Sequence, residues 1–125
     1  MAEISPKILL AEDDKTLARA LELKLTSAGY AVKLVGNGSK AIEALKNDHF
    51  DLVLLDLVMP VKDGFAVLAE KREMKNGTPV VVLTNLGQSE DEEKCKQLGA
   101  IGYLVKADHS LAEIINYVDR QLKRK

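Results

Sequence analysis

The sequence predicts an α/β domain of the doubly wound class, a parallel sheet covered by helices on both faces. Three observations carry that prediction. Five short apolar runs alternate with five stretches of helical periodicity, joined by turn residues and not by long loops. The central run, Leu52-Val53-Leu54-Leu55, does not alternate with polar residues, which is how a strand buried on both faces of a parallel sheet reads. Four of the runs stop at a charged or hydroxyl residue, and in such sheets ligands sit outside the carboxyl ends of the strands.

In chain order, Lys7 to Ala11 is the first strand and runs into Glu12-Asp13-Asp14. Leu17, Ala18, Leu21, Leu25 and Ala28 recur at helical spacing from Lys15 to Ala28, and Gly29 stops that helix. Tyr30 to Val35 is the second strand, Gly36 to Gly38 a turn, and Ser39 to Asn47 a helix with Ala41, Ile42 and Leu45 inward. The third strand, Asp51 to Leu55, ends at Asp56. Pro60 and Asp63-Gly64 then turn the chain into a helix whose inward face reads as Phe65, Leu68, Ala69 and Arg72. Asn76-Gly77 ends it.

Thr78-Pro79 opens the fourth strand, Val80-Val81-Val82-Leu83, which stops at Thr84. Ser89-Glu90-Asp91-Glu92 fits a capping box for a helix to Leu98, and only Cys95 and Leu98 are evident inward residues. Such a thin stripe predicts a helix held weakly and shifted easily. Gly102 to Val105 is the last strand and ends at Lys106. Ser110 and Glu113 form a second capping box, opening a helix with Leu111, Ile114, Ile115, Val118 and Leu122 inward and Lys123-Arg124-Lys125 at its negative end.

The bulk properties bound the function. A chain of 125 residues with 46% hydrophobic content is one domain's worth, 1–125, with enough apolar side chains for a real core. Net charge is -1 with both signs interspersed, so there is no global electrostatic case for nucleic acid or an anionic membrane. Cys95 is the only cysteine and cannot form an internal disulfide, and the acids at 12–14 interrupt the only early apolar run that would resemble a signal peptide; both point to a reducing cytoplasm. No run approaches the roughly 20 apolar residues of a membrane span. Asn37-Gly38-Ser39 and Asn76-Gly77-Thr78 read as turns, not glycan acceptors.

The fold rule places Glu12, Asp13, Asp56, Thr84 and Lys106 at one sheet edge. Carboxylates in close quarters repel unless a cation joins them, and an all-oxygen donor set favours Mg²⁺ over zinc. The ammonium of Lys106 and the hydroxyl of Thr84 suit the oxygens of a phosphoryl group, and an aspartate beside such cations can attack phosphorus to give an acyl phosphate. Gly36-x-Gly38-x-x-Ala41 formally matches a dinucleotide fingerprint, but it follows the second strand and leaves Glu12, Asp13 and Lys106 unused.

These residues are similar to the receiver domain of two-component response regulators. The matching pieces are Ile8-Leu9-Leu10-Ala11-Glu12-Asp13-Asp14, Leu54-Leu55-Asp56-Leu57-Val58-Met59-Pro60, Asp63-Gly64, Val82-Leu83-Thr84 and Gly102-Tyr103-Leu104-Val105-Lys106, in the family's order and over essentially the whole chain. The resemblance implies a flavodoxin-like three-layer (βα)5 sandwich with strand order 2-1-3-4-5. It implies that Asp56 accepts a phosphoryl group from a phosphohistidine of a sensor histidine kinase or histidine phosphotransfer protein. It further implies that Asp13, Asp56 and the Val58 carbonyl bind Mg²⁺, with Glu12 acting mostly through water. Thr84 would swing toward the phosphoryl group, Lys106 would pair with it, and Tyr103 would follow Thr84 inward, repacking the face built from the fourth helix, fifth strand and fifth helix.

Such a protein is a phosphoacceptor, not a turnover enzyme, and its expected partners are the kinase and a downstream effector protein, with no direct nucleic acid and no membrane. A monomer is expected, with a phosphorylation-linked dimer left open. No output domain follows Lys125, so either a stand-alone receiver or an excised part of a longer regulator is expected. The sequence departs from the family pattern at Asn85, where a small residue is usual, and at Ala107, where proline is usual. Those departures keep a second reading, an interaction module that takes no phosphate. Val58 and Leu86 lack any group to orient an attacking water, so the phosphoryl group is expected to be lost slowly.

Overall fold

Strand β3 (Leu52–Leu55) occupies the centre of a five-stranded sheet because all four of its side chains are apolar, and all four are buried. The computed structural model describes residues 5–122. Around β3 lie β1 (Lys7–Ala11), β2 (Ala31–Val35), β4 (Val80–Thr84) and β5 (Gly102–Val105), alternating with helices α1 (Lys15–Ser27), α2 (Gly38–Asn47), α3 (Gly64–Glu73), α4 (Ser89–Gln97) and α5 (Leu111–Leu122). The sheet is parallel throughout in the order β2-β1-β3-β4-β5, as the doubly wound reading requires. A 3-10 turn, Lys106–Asp108, joins β5 to α5.

The pleat divides the core in two. Leu9, Ala11, Val53, Leu55 and Val82 point to the side packed by α2, α3 and Cys95 of α4, whereas Ile8, Leu10, Leu52, Leu54, Val81 and Leu83 point to Leu21 and Leu25 of α1 and Ile114 and Val118 of α5. Three layers result. Truncating a side chain such as Leu54, fully excluded from solvent, would cost about 3 kcal/mol. Among the described residues no helix is long and apolar enough to cross a membrane.

Local chemistry sets the helix starts. Asp14, Asn37 and Asp63 cap α1, α2 and α3 by accepting backbone N–H groups, and Ser110 and Glu113 form the reciprocal box expected before α5, at 3.0 and 3.1 Å. Gly29, at φ +101°, turns the chain out of α1. The two Asn-Gly sequences are turns: Asn37 caps α2, and Asn76 accepts the Thr78 N–H at 3.0 Å.

Three expectations are corrected. The inward face of α3 is Gly64, Val67, Leu68 and Lys71, one residue before the stripe Phe65, Leu68, Ala69 and Arg72; Ala69 and Arg72 are exposed and Phe65 is half-buried. The cause is Gly64, which lies so close to β3 that a Cβ there would come within 2.5 Å of the Asp56 carbonyl oxygen and so has to face inward. Ser89 does not cap α4; Gln88 occupies that position, without a side-chain hydrogen bond, and Ser89 is already helical. Ala28 is exposed, because α1 ends at Ser27. The basic triplet 123–125 lies outside the described residues.

Candidate functional site

Register brings the polar residues together. Ala11 pairs with Leu55, so the next residues, Glu12 and Asp56, emerge side by side; the Asp56 N–H donates to the Ala11 carbonyl at 3.0 Å and the Glu12 N–H to the Val35 carbonyl at 3.0 Å. Thr84 pairs with Val105, which puts Lys106 one step past the end of β4. From there the lysine reaches across β4 to β3 and β1. Its Nζ stands 2.8 Å from Asp56 Oδ2 and 2.8 Å from Glu12 Oε1.

The carboxylates of Glu12, Asp13 and Asp56 offer oxygens that all lie within 4.8 Å of one another. Glu12 and Asp56 are only 3% and 4% exposed, whereas Asp13 faces solvent. That difference assigns unequal chemistry to the three. Both Glu12 oxygens are engaged, one by Lys106 and the other by the Asp14 N–H at 3.0 Å. Burial pushes the Glu12 carboxyl above its ordinary pKa, the nearby Asp56 charge adds to the rise, and the Lys106 and Asp14 hydrogen bonds only partly offset it. For Lys106, burial works against the charge, but hydrogen bonds to Asp56 and Glu12 win and hold its pKa above the usual lysine value.

Asp56 Oδ1 accepts the Val58 N–H at 3.2 Å, which leaves lone pairs on both Asp56 oxygens, and Asp13 makes no side-chain hydrogen bond among the described residues. An all-oxygen set with one solvent-facing and two buried carboxylates, one of the buried pair already engaged at both oxygens, fits a hard divalent cation that keeps several waters. No histidine or cysteine joins the cluster, as zinc would require.

Thr84 and Tyr103 sit beside this cluster without bonding to it. Thr84 is fully buried and its Oγ1 accepts the Leu86 N–H at 3.4 Å; the Tyr103 hydroxyl donates to the Leu86 carbonyl at 2.5 Å. Leu86 is thus gripped from both sides. Burial pushes the Tyr103 phenol up to about 12, so it remains a donor. Val58 is 58% exposed on the loop after β3. Asn85 is exposed, Ala107 lies in the 3-10 turn, and the described residues contain no cis peptide bond.

Residues 8–119 match a family model described as the response regulator receiver domain. The chain is similar to the transcriptional activator protein PfeR of Pseudomonas aeruginosa, 39% identical over 120 residues that make up 96% of this chain and 39% of that protein. It is 35% identical over 118 residues to the transcriptional regulatory protein CusR of Escherichia coli, covering 94% of this chain and 52% of that protein. The chain therefore spans about half the length or less of these relatives. Among solved structures, it resembles the receiver domain of a Pseudomonas aeruginosa sensor histidine kinase that has a magnesium ion coordinated in its active-site cleft, with TM-score 0.84, 32% identity, and coverage of 94% of this chain and 98% of that one. The family model spans most of the sequence and shows that this chain, with its acidic cluster at one edge of a parallel sheet, belongs to the response regulator receiver domain family, the phosphoacceptor modules of two-component signalling.

Proposed function

We propose that Asp56 accepts a phosphoryl group from a phosphohistidine of a sensor histidine kinase or histidine phosphotransfer protein, and that the domain then changes the partner it binds through its α4–β5–α5 surface. The observation that carries this reading is the position of Lys106, whose ammonium contacts Asp56 and Glu12 of the acidic cluster at equal distance. A lysine placed there neutralises a nucleophile and can also follow the charge onto a phosphoryl oxygen.

Asp13, Asp56 and the Val58 carbonyl would hold Mg²⁺, and Glu12, with both oxygens occupied, would meet the ion through water. When bound, the metal supplies charge neutralisation for the phosphoryl oxygens. The chain's own residues do the rest. An Asp56 oxygen attacks phosphorus as the bond to the donor nitrogen breaks, and the leaving imidazole nitrogen takes the electron pair and a proton from solvent. Thr84 then turns its hydroxyl from the Leu86 N–H toward the new phosphoryl group, and Tyr103 gives up the Leu86 carbonyl and moves inward. Leu86 links both motions.

Incubation with acetyl phosphate and Mg²⁺ followed by intact-mass measurement tests this. A phosphoryl adduct on the wild-type chain that Asp56→Asn abolishes is the expected result. No adduct, or one that survives Asp56→Asn, defeats the proposal and favours a module that signals by binding alone.

A further inference from the structure

The loop between β3 and α3 carries the Val58 carbonyl, and its far half is held in an unusual shape. The Lys62 N–H donates to the Pro60 carbonyl at 2.7 Å, closing a three-residue turn around Val61, whose φ is +70°. That is the rare and strained form of the γ-turn. A β-branched residue is the least suited to it, and no burial of its side chain compensates, since Val61 is 79% exposed. Strain of this kind persists only where the surroundings over-determine the backbone.

Two neighbours do so. Lys62 forms an ion pair with Glu70 on α3, and the Lys62 backbone rests directly on Gly38, the first residue of α2. A Cβ built on Gly38 would stand 2.8 Å from the Lys62 carbonyl carbon and 2.9 Å from its Cβ, with the carbonyl oxygen closer still. Those are backbone atoms and a Cβ, which no rotamer change can move aside. Gly38 is buried and its neighbour Asn37 caps α2, so the helix cannot easily retreat.

We propose that Gly38 is a positioning residue for metal binding: it is the seat that lets Lys62 close the strained turn at Val61 and so fixes where the loop presents the Val58 carbonyl. Any side chain at position 38 lifts Lys62, and the three residues between Val58 and Lys62 must redistribute the displacement. The proposal rests on the assignment of Asp13, Asp56 and Val58 as the Mg²⁺ ligands.

The test is an Mg²⁺ titration of the full chain followed by amide chemical shifts, with thermal unfolding of each variant alongside. Gly38→Ala is expected to weaken Mg²⁺ binding roughly tenfold, the scale of losing a group that orients a ligand. Adding Val61→Gly, which lets residue 61 absorb the displacement of Lys62 while the Val58 carbonyl keeps its place, is expected to restore much of that affinity. A purely structural role for Gly38 predicts no such rescue. Should Gly38→Ala not fold, Glu70→Gln removes the other hold on Lys62 from a half-buried site near the surface, and an Mg²⁺ affinity about threefold weaker is expected, the range of an ion pair near the surface. A folded Gly38→Ala that binds Mg²⁺ within twofold of wild type overturns the proposal, as does a Glu70→Gln of unchanged affinity when Gly38→Ala is unfolded. A wild-type chain indifferent to Mg²⁺ would sink the ligand assignment and this inference together, whereas normal wild-type binding with no response to these variants sinks this inference alone.

Discussion

Lys106 Nζ lies 2.8 Å from Asp56 Oδ2, reaching there from β5 across the whole width of β4. The lysine side chain is 14% exposed and the Asp56 side chain 5%, so the pair is screened far less than a surface ion pair. Lys106→Met would leave Glu12 and Asp56 buried next to each other with no cation. A loss of about 2–3 kcal/mol at neutral pH is expected in Mg²⁺-free buffer, and addition of Mg²⁺ should return part of it. The loss should shrink on acidification, as Glu12, already raised by burial, takes up a proton. Urea unfolding midpoints measure all three effects, and a midpoint equal to wild type without Mg²⁺ would mean that the pair contributes nothing.

A second buried contact predicts the alkaline limit of stability. The Tyr30 hydroxyl donates to Asp119 of α5, and burial, then that hydrogen bond and the carboxylate's charge, push its pKa from 10.0 to about 12. A phenol whose folded pKa lies above its unfolded one adds stability that is complete below pH 10 and disappears as pH climbs toward 12. The contribution is roughly 2 kcal/mol. Tyr30→Phe gives up the hydrogen bond to Asp119 and should be less stable than wild type near neutrality, and with no phenol to ionise it should lose less between pH 10 and 12. It will keep some slope, since Tyr103 and Cys95 are raised to about 12 and about 11, both by burial first. Unfolding midpoints at matched pH test it; parallel curves for the two proteins would exclude the Tyr30–Asp119 contact as the source.

What could be read from the sequence tracks what is local. The unbroken apolar runs at Leu52 and Val80 identified the central strands, and strand ends in a parallel sheet share an edge, so Glu12, Asp13, Asp56 and Lys106 could be expected together before any coordinates. The inward face of α3 could not. Phe65, Leu68, Ala69 and Arg72 make a valid helical stripe, and only the contact of Gly64 with the Asp56 carbonyl, a tertiary fact, turns the helix to bury Val67 and Lys71. Lys71 is tolerated there because its ammonium donates to the Asn76 carbonyl at 2.8 Å at the helix end. Nor does any sequence signal announce the turn at Val61: valine is a poor residue for positive φ, and the seat at Gly38 is more than twenty residues away in the chain. The Asn37-Gly38 pair reads as a turn, and it is the packing on Lys62 that gives the glycine its second task.

Helix α4 should be the most easily moved helix. Cys95 is its only buried side chain, its first turn has no side-chain cap, and its ties to α3 are the Lys94 ammonium 4.5 Å from the Phe65 ring centroid and the Arg72 guanidinium on the Gln97 carbonyl at 2.9 Å. A cation over a half-buried ring is worth about 1 kcal/mol, far below what a packed apolar stripe supplies. Native-state hydrogen exchange should show α4 amides opening well before those of α1 and α5, and Phe65→Leu should widen the gap. Equal protection across the three helices would contradict this account.

The lifetime of a phosphoryl group on Asp56 follows from what surrounds it. Hydrolysis needs a water aligned with phosphorus opposite the Asp56 oxygen, and the side chains two residues past Asp56 and Thr84, Val58 and Leu86, have no polar atom to orient one. Val58 stands exposed at the rim, and its backbone N–H is committed to Asp56 Oδ1. In the proposed switch Thr84 and Tyr103 both let go of the Leu86 backbone, but the Leu86 side chain has no polar atom to offer a water wherever that segment moves. Release of phosphate from the isolated phosphoprotein, followed after the donor is removed, should take on the order of minutes or longer. Val58→Asn puts an amide where it can orient the water and should shorten that time by about tenfold, with no change in unfolding midpoint because the side chain is on the surface. A wild-type half-life of seconds, or a Val58→Asn protein as slow as its parent, would show that water is positioned by something other than these two side chains.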